Sequence, residues 1–130
     1  MYTLETIAQI LETELLDAQG KAHQVIDDFE YQMLHVKSPS TAFISISEAS
    51  WQKYLKKSKV MREGNAQIPK DVSNIGLIIT EQYVEDLTHK IPQIVVKNSI
   101  KAMKTLALHI RSRYRNPLVA LTAVSYTHLT

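Results

Sequence analysis

Apolar residues along this chain recur at two different periods, and the change of period marks where helices give way to strands. Near the start, Leu4, Ile7, Ala8 and Leu11 fall at helical spacing. Thr3 stands where it can cap that helix, and Tyr2 and Ile7 stand where a hydrophobic staple closes a first turn. A short strand is expected over 14–18, turning at Gln19-Gly20. Residues 24–36 carry Val25, Ile26, Phe29, Tyr31, Met33, Leu34 and Val36 in imperfect alternation, which fits a bent strand or two short ones. Ser38-Pro39-Ser40 breaks the run. Over 41–47, Ala42, Ile44 and Ile46 alternate with Phe43 and Ser45, the two-residue period of a strand.

Residues 47–65 are less determinate, because Trp51, Tyr54 and Leu55 have helical spacing while Lys53, Lys56, Lys57 and Lys59 load the remaining positions with charge. A short helix and a mobile excursion both fit. Gly64-Asn65 signals a turn, and 68–72 allows one or two helical turns with Pro69 near the start. Beyond this the β-branched runs Ile75–Thr80 and 91–96 predict buried strands. Asn98 or Ser99 caps a long helix with Ile100, Met103, Leu106, Ala107, Ile110 and Tyr114 on one face, and Arg111, Arg113 and Arg115 near its end. Asn116-Pro117 ends that helix, and 118–121 opens a further strand. The element order is α/β, with one core expected from Ile78, Ile94, Val96, Met103, Leu106 and Ile110.

Composition narrows the chemistry. At 130 residues, 45% hydrophobic and 22% charged, the chain suits one globular domain. Its net charge of +2 is too small for the field on which non-specific nucleic-acid binding relies. With no cysteine there is neither a disulfide framework nor a thiolate metal site, which suits a reducing cytoplasm. No stretch approaches the roughly 20 apolar residues of a membrane helix. The five histidines, His23, His35, His89, His109 and His128, lack metal-site spacing, so no metal ligands are expected. Asp27, Asp28 and Glu30 read as a solvated strand edge rather than as converging catalytic acids. No nucleophile elbow, dinucleotide fingerprint or complete phosphate loop occurs, so no catalytic or cofactor-binding residue is assigned.

Four stretches in order resemble the start of the Mur ligase family, the ATP-dependent enzymes that join amino acids or peptides to a nucleotide-linked precursor. Residues 2–11 are similar to the family's opening helix, and 38–46, from Ser38-Pro39-Ser40 to Ile46, to its Pro-Gly-x-Leu-Phe-Val-Ala strand. Arg62-Glu63-Gly64-Asn65 with Ile68 resembles its Asp-Gly-His-x-Phe-Ile segment, and 92–102 the strand and helix before the phosphate loop. Where the family carries Asp-Ser/Thr-Arg, this chain has Tyr31-Gln32-Met33-Leu34-His35-Val36, and the Gly after Pro is Ser40.

The resemblance implies an α/β fold with a small mixed sheet flanked by helices. It implies an N-terminal, substrate-recruiting domain over 1–116 and the first strand of a central ATPase domain over 117–122, while residues 123–130 resemble translated adapter sequence and are expected to be a non-native tail. It also implies a cytoplasmic protein of peptidoglycan synthesis that is not catalytic on its own. ATP and Mg²⁺ would serve the full-length ligase. The partners would be a UDP-linked or related nucleotide-linked precursor and the central domain of the same protein, without nucleic acid or membrane insertion. Around the matched Pro39, the hydroxyls and backbone N–H groups of Ser38, Ser40 and Thr41 are placed to meet a pyrophosphate or uracil edge, and His35 to replace part of the absent motif's hydrogen bonding. A second reading makes the chain a stand-alone α/β interaction module, with Trp51, Tyr54 and the neighbouring lysines contacting another protein.

Overall fold

The computed structural model describes residues 2–55 and 63–113. Tyr2–Thr3 (β1) leads directly into Leu4–Ile10 (α1), where the Thr3 hydroxyl accepts from the Thr6 N–H at 3.1 Å. Tyr2 and Ile7 are both buried in one cluster, so the cap and staple fix the helix as the spacing predicts. Short strands Leu15–Leu16 (β2), Val25–Ile26 (β3) and Asp28–Glu30 (β4) follow, then Ser38–Ile44 (β5). Glu48–Leu55 (α2), Ile75–Thr80 (β6), Gln93–Val95 (β7) and Ser99–Arg113 (α3) complete the described elements.

Five strands form one mixed sheet in the order β2-β7-β6-β5-β4, with β1 and β3 paired separately. β4, β5, β6 and β7 run parallel, and only β2 is antiparallel to its neighbour. The α/β class and mixed sheet agree with the sequence. All three described helices contribute to the core on one face, through Leu4 and Ile7, Trp51, and Met103, Leu106 and Ile110, packed on Ala42, Ile44, Leu77, Ile79 and Ile94. The other face is a smaller core of Phe43, Ile75, Ile78, Leu87 and Ile91, covered by loops and short 3-10 turns.

Several expectations are corrected. Ile78 does not join Ile94 and Leu106, because alternation along β6 turns it to the small core while Leu77 and Ile79 face the helices. Ser38-Pro39-Ser40 does not break the strand but begins it, with Ser38 opposite Ile75 and a register shift before Ala42. Pro39 is tolerated there because the irregularity relieves the ladder of its missing N–H. Residues 33–35 form a 3-10 turn instead of extending the strand, and the turn expected over 68–72 lies earlier, at Asn65–Gln67. Glu30 is not solvated: it is 4% exposed, opposite Phe43 on β5. Asp28 and Glu30 are two apart and therefore share a face, and their side chains are hydrogen-bonded.

The uncertain stretch does begin with a helix, and α2 carries Trp51 into the core at 6% exposure. Trp51 stacks edge-on against Tyr31 at 5.4 Å and Tyr54 at 6.5 Å, and the Lys104 ammonium lies 4.4 Å over the Tyr54 ring. The aromatic pair expected to contact another protein is thus used internally, by the packing of α2 on α3. Asn98, not Ser99, caps α3, its Oδ1 accepting from the Lys101 N–H at 3.0 Å. Lys56, Lys57, Lys59, Arg62, Tyr114, Arg115 and the expected segments at 117–122 and 123–130 lie outside the described residues. No described helix is long and apolar enough to cross a membrane.

Candidate functional site

Parallel strands give the sheet two chemically different ends. At the carboxyl end, Glu81 follows β6 directly and its carboxylate gathers donors from two helix starts. Ser47 Oγ donates to Oε1 at 3.0 Å, while Ser50 Oγ, the Ser99 N–H and Ser99 Oγ donate to Oε2 at 2.7, 2.8 and 2.8 Å. Burial alone would raise the Glu81 pKa, but the Ser99 N–H and the Ser50, Ser99 and Ser47 hydroxyls outweigh it and hold the group below the ordinary carboxylate value. The carboxylate therefore occupies the anion-seeking start of α3 from within.

Beside it, Asn65 accepts from the Ser45 hydroxyl and donates through Nδ2 to the Gln82 carbonyl at 3.3 Å. The Thr80 hydroxyl accepts from the Gln82 N–H at 3.2 Å and lies 3.2 Å from Asn65 Oδ1. Gly64 permits this closeness, since a Cβ there would lie 2.5 Å from the Ile46 nitrogen. A cleft of about 570 Å³ opens at this end between α1 and α3, lined by Glu12 and Glu81 against Lys97 and Lys101, so its charges balance.

At the amino end, Ser38 and Ser40 meet: their hydroxyls are 2.7 Å apart, and the Ser40 N–H donates to Ser38 Oγ at 3.0 Å. Gln24 Nε2 donates to the Pro39 carbonyl at 2.9 Å, and the Asp27 N–H to the Ser40 carbonyl at 3.0 Å. Thr41 comes next in the strand, but its side chain is buried, so only the two serines present hydroxyls together. His35 is exposed at the end of its 3-10 turn. The structure thus brings Ser38 and Ser40 together, buries Thr41, and holds His35 on a separate turn.

Pro39 also lines a second cleft, of about 520 Å³, with Gly76, Ile75 and Pro92 and with Lys21, Lys70 and Lys90 around it. Sequence reading missed these lysines because they come from separate loops with no linear spacing. Glu81 carried a usable signal, an acidic residue at the carboxyl end of a wholly buried strand, where α/β sheets place their ligands.

Three solved structures share this architecture over most of the described elements. Crystal structures II and I of MurF from Acinetobacter baumannii superpose with TM-scores of 0.61 and 0.61 at 17% and 17% identity, covering 86% and 88% of this chain. The UDP-N-acetylmuramoylalanyl-D-glutamyl-2,6-diaminopimelate--D-alanyl-D-alanyl ligase from the same organism gives 0.60 at 18% identity and 86% coverage. The fold is shared with Mur ligases. That agrees with the resemblance read from the sequence, at the level of fold. The chain spans 21% to 22% of the length of these Mur ligase structures. No protein-family profile matches the sequence, and no curated protein does.

Proposed function

We propose that this chain is the N-terminal, substrate-recruiting portion of a Mur ligase-like, ATP-dependent amide-bond ligase of cytoplasmic peptidoglycan-precursor synthesis, and that this portion binds without catalysing. The observation that carries the reading is the common fold over 86% of the chain against about a fifth of a MurF structure. The ligand is a UDP-linked or related nucleotide-linked precursor. Ser38 and Ser40 offer it paired hydroxyls, Thr41 its backbone, and His35 an exposed imidazole, while amide-bond formation belongs to the rest of the ligase. ATP and Mg²⁺ serve that remainder, and no step through either is assigned to this portion.

Titration of the chain with a UDP-linked muramoyl peptide tests the reading. Saturable binding that weakens about tenfold in the Ser38→Ala/Ser40→Ala variant is expected, as for loss of two hydrogen bonds to a charged group. A precursor that leaves the backbone amide spectrum of the wild-type chain unchanged would refute it.

A further inference from the structure

The hydroxyls of Ser38 and Ser40 meet because β5 is not a regular strand at its start. Ser38 stands opposite Ile75 and Ala42 opposite Leu77, so four steps along β5 run beside two along β6. The surplus forms a bulge around Pro39, Ser40 and Thr41, an irregularity of the kind that re-aims side chains. Residues two apart in a regular strand are separated by about 6.6 Å. Here the two hydroxyls lie 2.7 Å apart, and the Ser40 N–H donates to Ser38 Oγ at 3.0 Å. One hydroxyl proton lies between the two oxygens, and the other is left for an outside acceptor.

The Pro39 carbonyl at the centre of the bulge is held by two neighbours. Gly76 on β6 comes so close that a Cβ there would lie 2.1 Å from the Pro39 oxygen and 2.7 Å from Ile26 Cδ1. Gln24 Nε2 donates to the same oxygen at 2.9 Å. Gln24 projects from a fixed base, since its N–H donates to the Lys21 carbonyl at 2.9 Å and its own carbonyl accepts from the Leu4 N–H at 3.1 Å. Further along, the Asp27 N–H donates to the Ser40 carbonyl at 3.0 Å. Residues 24–27 therefore clasp the bulge at two successive carbonyls. The Asp27 bond comes from the main chain and any residue but proline would supply it, whereas the Gln24 bond needs a side-chain donor of that reach.

We propose that Gln24 is a positioning residue for the Ser38–Ser40 hydroxyl pair, acting through the Pro39–Ser40 peptide. The Pro39 carbonyl and the Ser40 N–H are opposite sides of one planar unit, so a donor that holds the oxygen also aims the hydrogen. Gln24 holds the oxygen, the hydrogen points at Ser38 Oγ, and that contact sets which way the Ser38 hydroxyl turns. Without the Gln24 donor the peptide plane rocks within the bulge and the pair loses its fixed orientation, while the Asp27 bond and the strand ladder remain. The role rests on the reading of Ser38 and Ser40 as contacts of the nucleotide-linked precursor, and it requires no contact between Gln24 and that ligand. The Gln24 bond is exposed to solvent, so its effect on affinity is modest.

Gln24→Met keeps the length of the side chain and removes its donor. Titration of the full chain with a UDP-linked muramoyl peptide should show binding about threefold weaker in this variant than in wild type, with the urea midpoint unchanged. In the ligand-free variant the Ser40 amide should shift in the backbone amide spectrum and exchange faster with solvent, reporting the loosened peptide. Adding Gln24→Met to Ser38→Ala/Ser40→Ala should weaken binding no further, because a residue that acts through the serines has nothing left to act on. A further loss in that background would put Gln24 on the ligand itself and overturn the positioning role. Unchanged affinity in the single variant, or a fall in affinity with the Ser40 amide unmoved, would overturn it equally, and in each of these cases the wild-type chain still binds. A wild-type chain that binds no precursor would instead refute the precursor reading, and the positioning role with it.

Discussion

The two ends of the parallel sheet are built from the same strands yet are opposite in character. At the carboxyl end β5 and β6 run into polar side chains that find partners: Ser45 with Asn65, Thr80 with Gln82, and Glu81 with Ser47, Ser50 and Ser99. At the amino end the lysines are exposed, the backbone is strained, and the cleft keeps an excess of positive charge. The carboxyl end is where α/β sheets usually hold ligands. Here Glu81 has taken the position an anion would hold at the start of α3 and uses it to fasten α2 and α3 to β6. A helix start filled from within is a structural joint.

The largest expected effect belongs to neither end and sets the scale. Leu106→Ala, in the core beneath α3, should cost about 2–5 kcal/mol in chemical denaturation. The glycines probe the ends directly. Gly64→Ala at the carboxyl end and Gly76→Ala at the amino end each put a methyl group within 2.5 Å of a backbone atom. Each should cost about 2–4 kcal/mol by overpacking. Gly20→Ala, with open space around it and φ of 78°, should cost only about 1 kcal/mol through backbone strain. Equal losses at all three positions would show that close approach is not what Gly64 and Gly76 provide.

Glu81→Gln should destabilise by about 1–2 kcal/mol at neutral pH, since it exchanges charge-assisted hydrogen bonds for neutral ones. The folded pKa of Glu81 is depressed, so its contribution is present above the unfolded value and is lost as the pH falls through the folded one. The gap between wild type and Glu81→Gln, read from urea midpoints, should therefore be full at pH 7 and close as the pH is lowered from 4.5. The Lys21→Ala/Lys70→Ala/Lys90→Ala variant should leave stability within about 0.5 kcal/mol of wild type, because these side chains are exposed.

The smallest effect is at Asp28→Asn. Burial pushes the Asp28 carboxyl up, so the charged form is disfavoured in the folded chain. The variant should be slightly more stable at neutral pH, with the difference vanishing below the ordinary value of 3.8, where Asp28 is protonated in both states. A loss of stability at neutral pH would mean that the charge is needed at that edge.

Local signals were the most legible. Thr3 as a cap, Tyr2 with Ile7 as a staple, the buried run Ile75–Thr80 and the apolar face of α3 all depend on residues within a few positions of one another. The pairing of Ser38 with Ser40 is equally local, a contact across two residues. Misreadings arose where an apolar or polar run had two possible destinations. Ser38-Pro39-Ser40 looked like a break because proline lacks a ladder donor, yet the register shift in β5 accommodates it. Trp51 among lysines looked like a docking surface, and the approach of α3 turned it inward. Ile78 was assigned to the wrong core because periodicity distinguishes faces but does not say which face meets the helices.

By itself, then, the sequence determined where most elements begin, how they are capped and which residues alternate, since these follow from short-range sterics and hydrogen bonding. It also carried, in its order of elements, the likeness to Mur ligases that the common fold upholds. Only the tertiary structure decided which side of each strand faces the helices, that Glu30 is buried, and that Glu81 binds the two helix starts. It alone gathered Lys21, Lys70 and Lys90, residues from loops far apart along the chain, into one cleft. The physical reason is that charge and burial are properties of places, and a place built by parallel strands draws its residues from crossovers whose lengths and turns leave no periodic trace in the sequence.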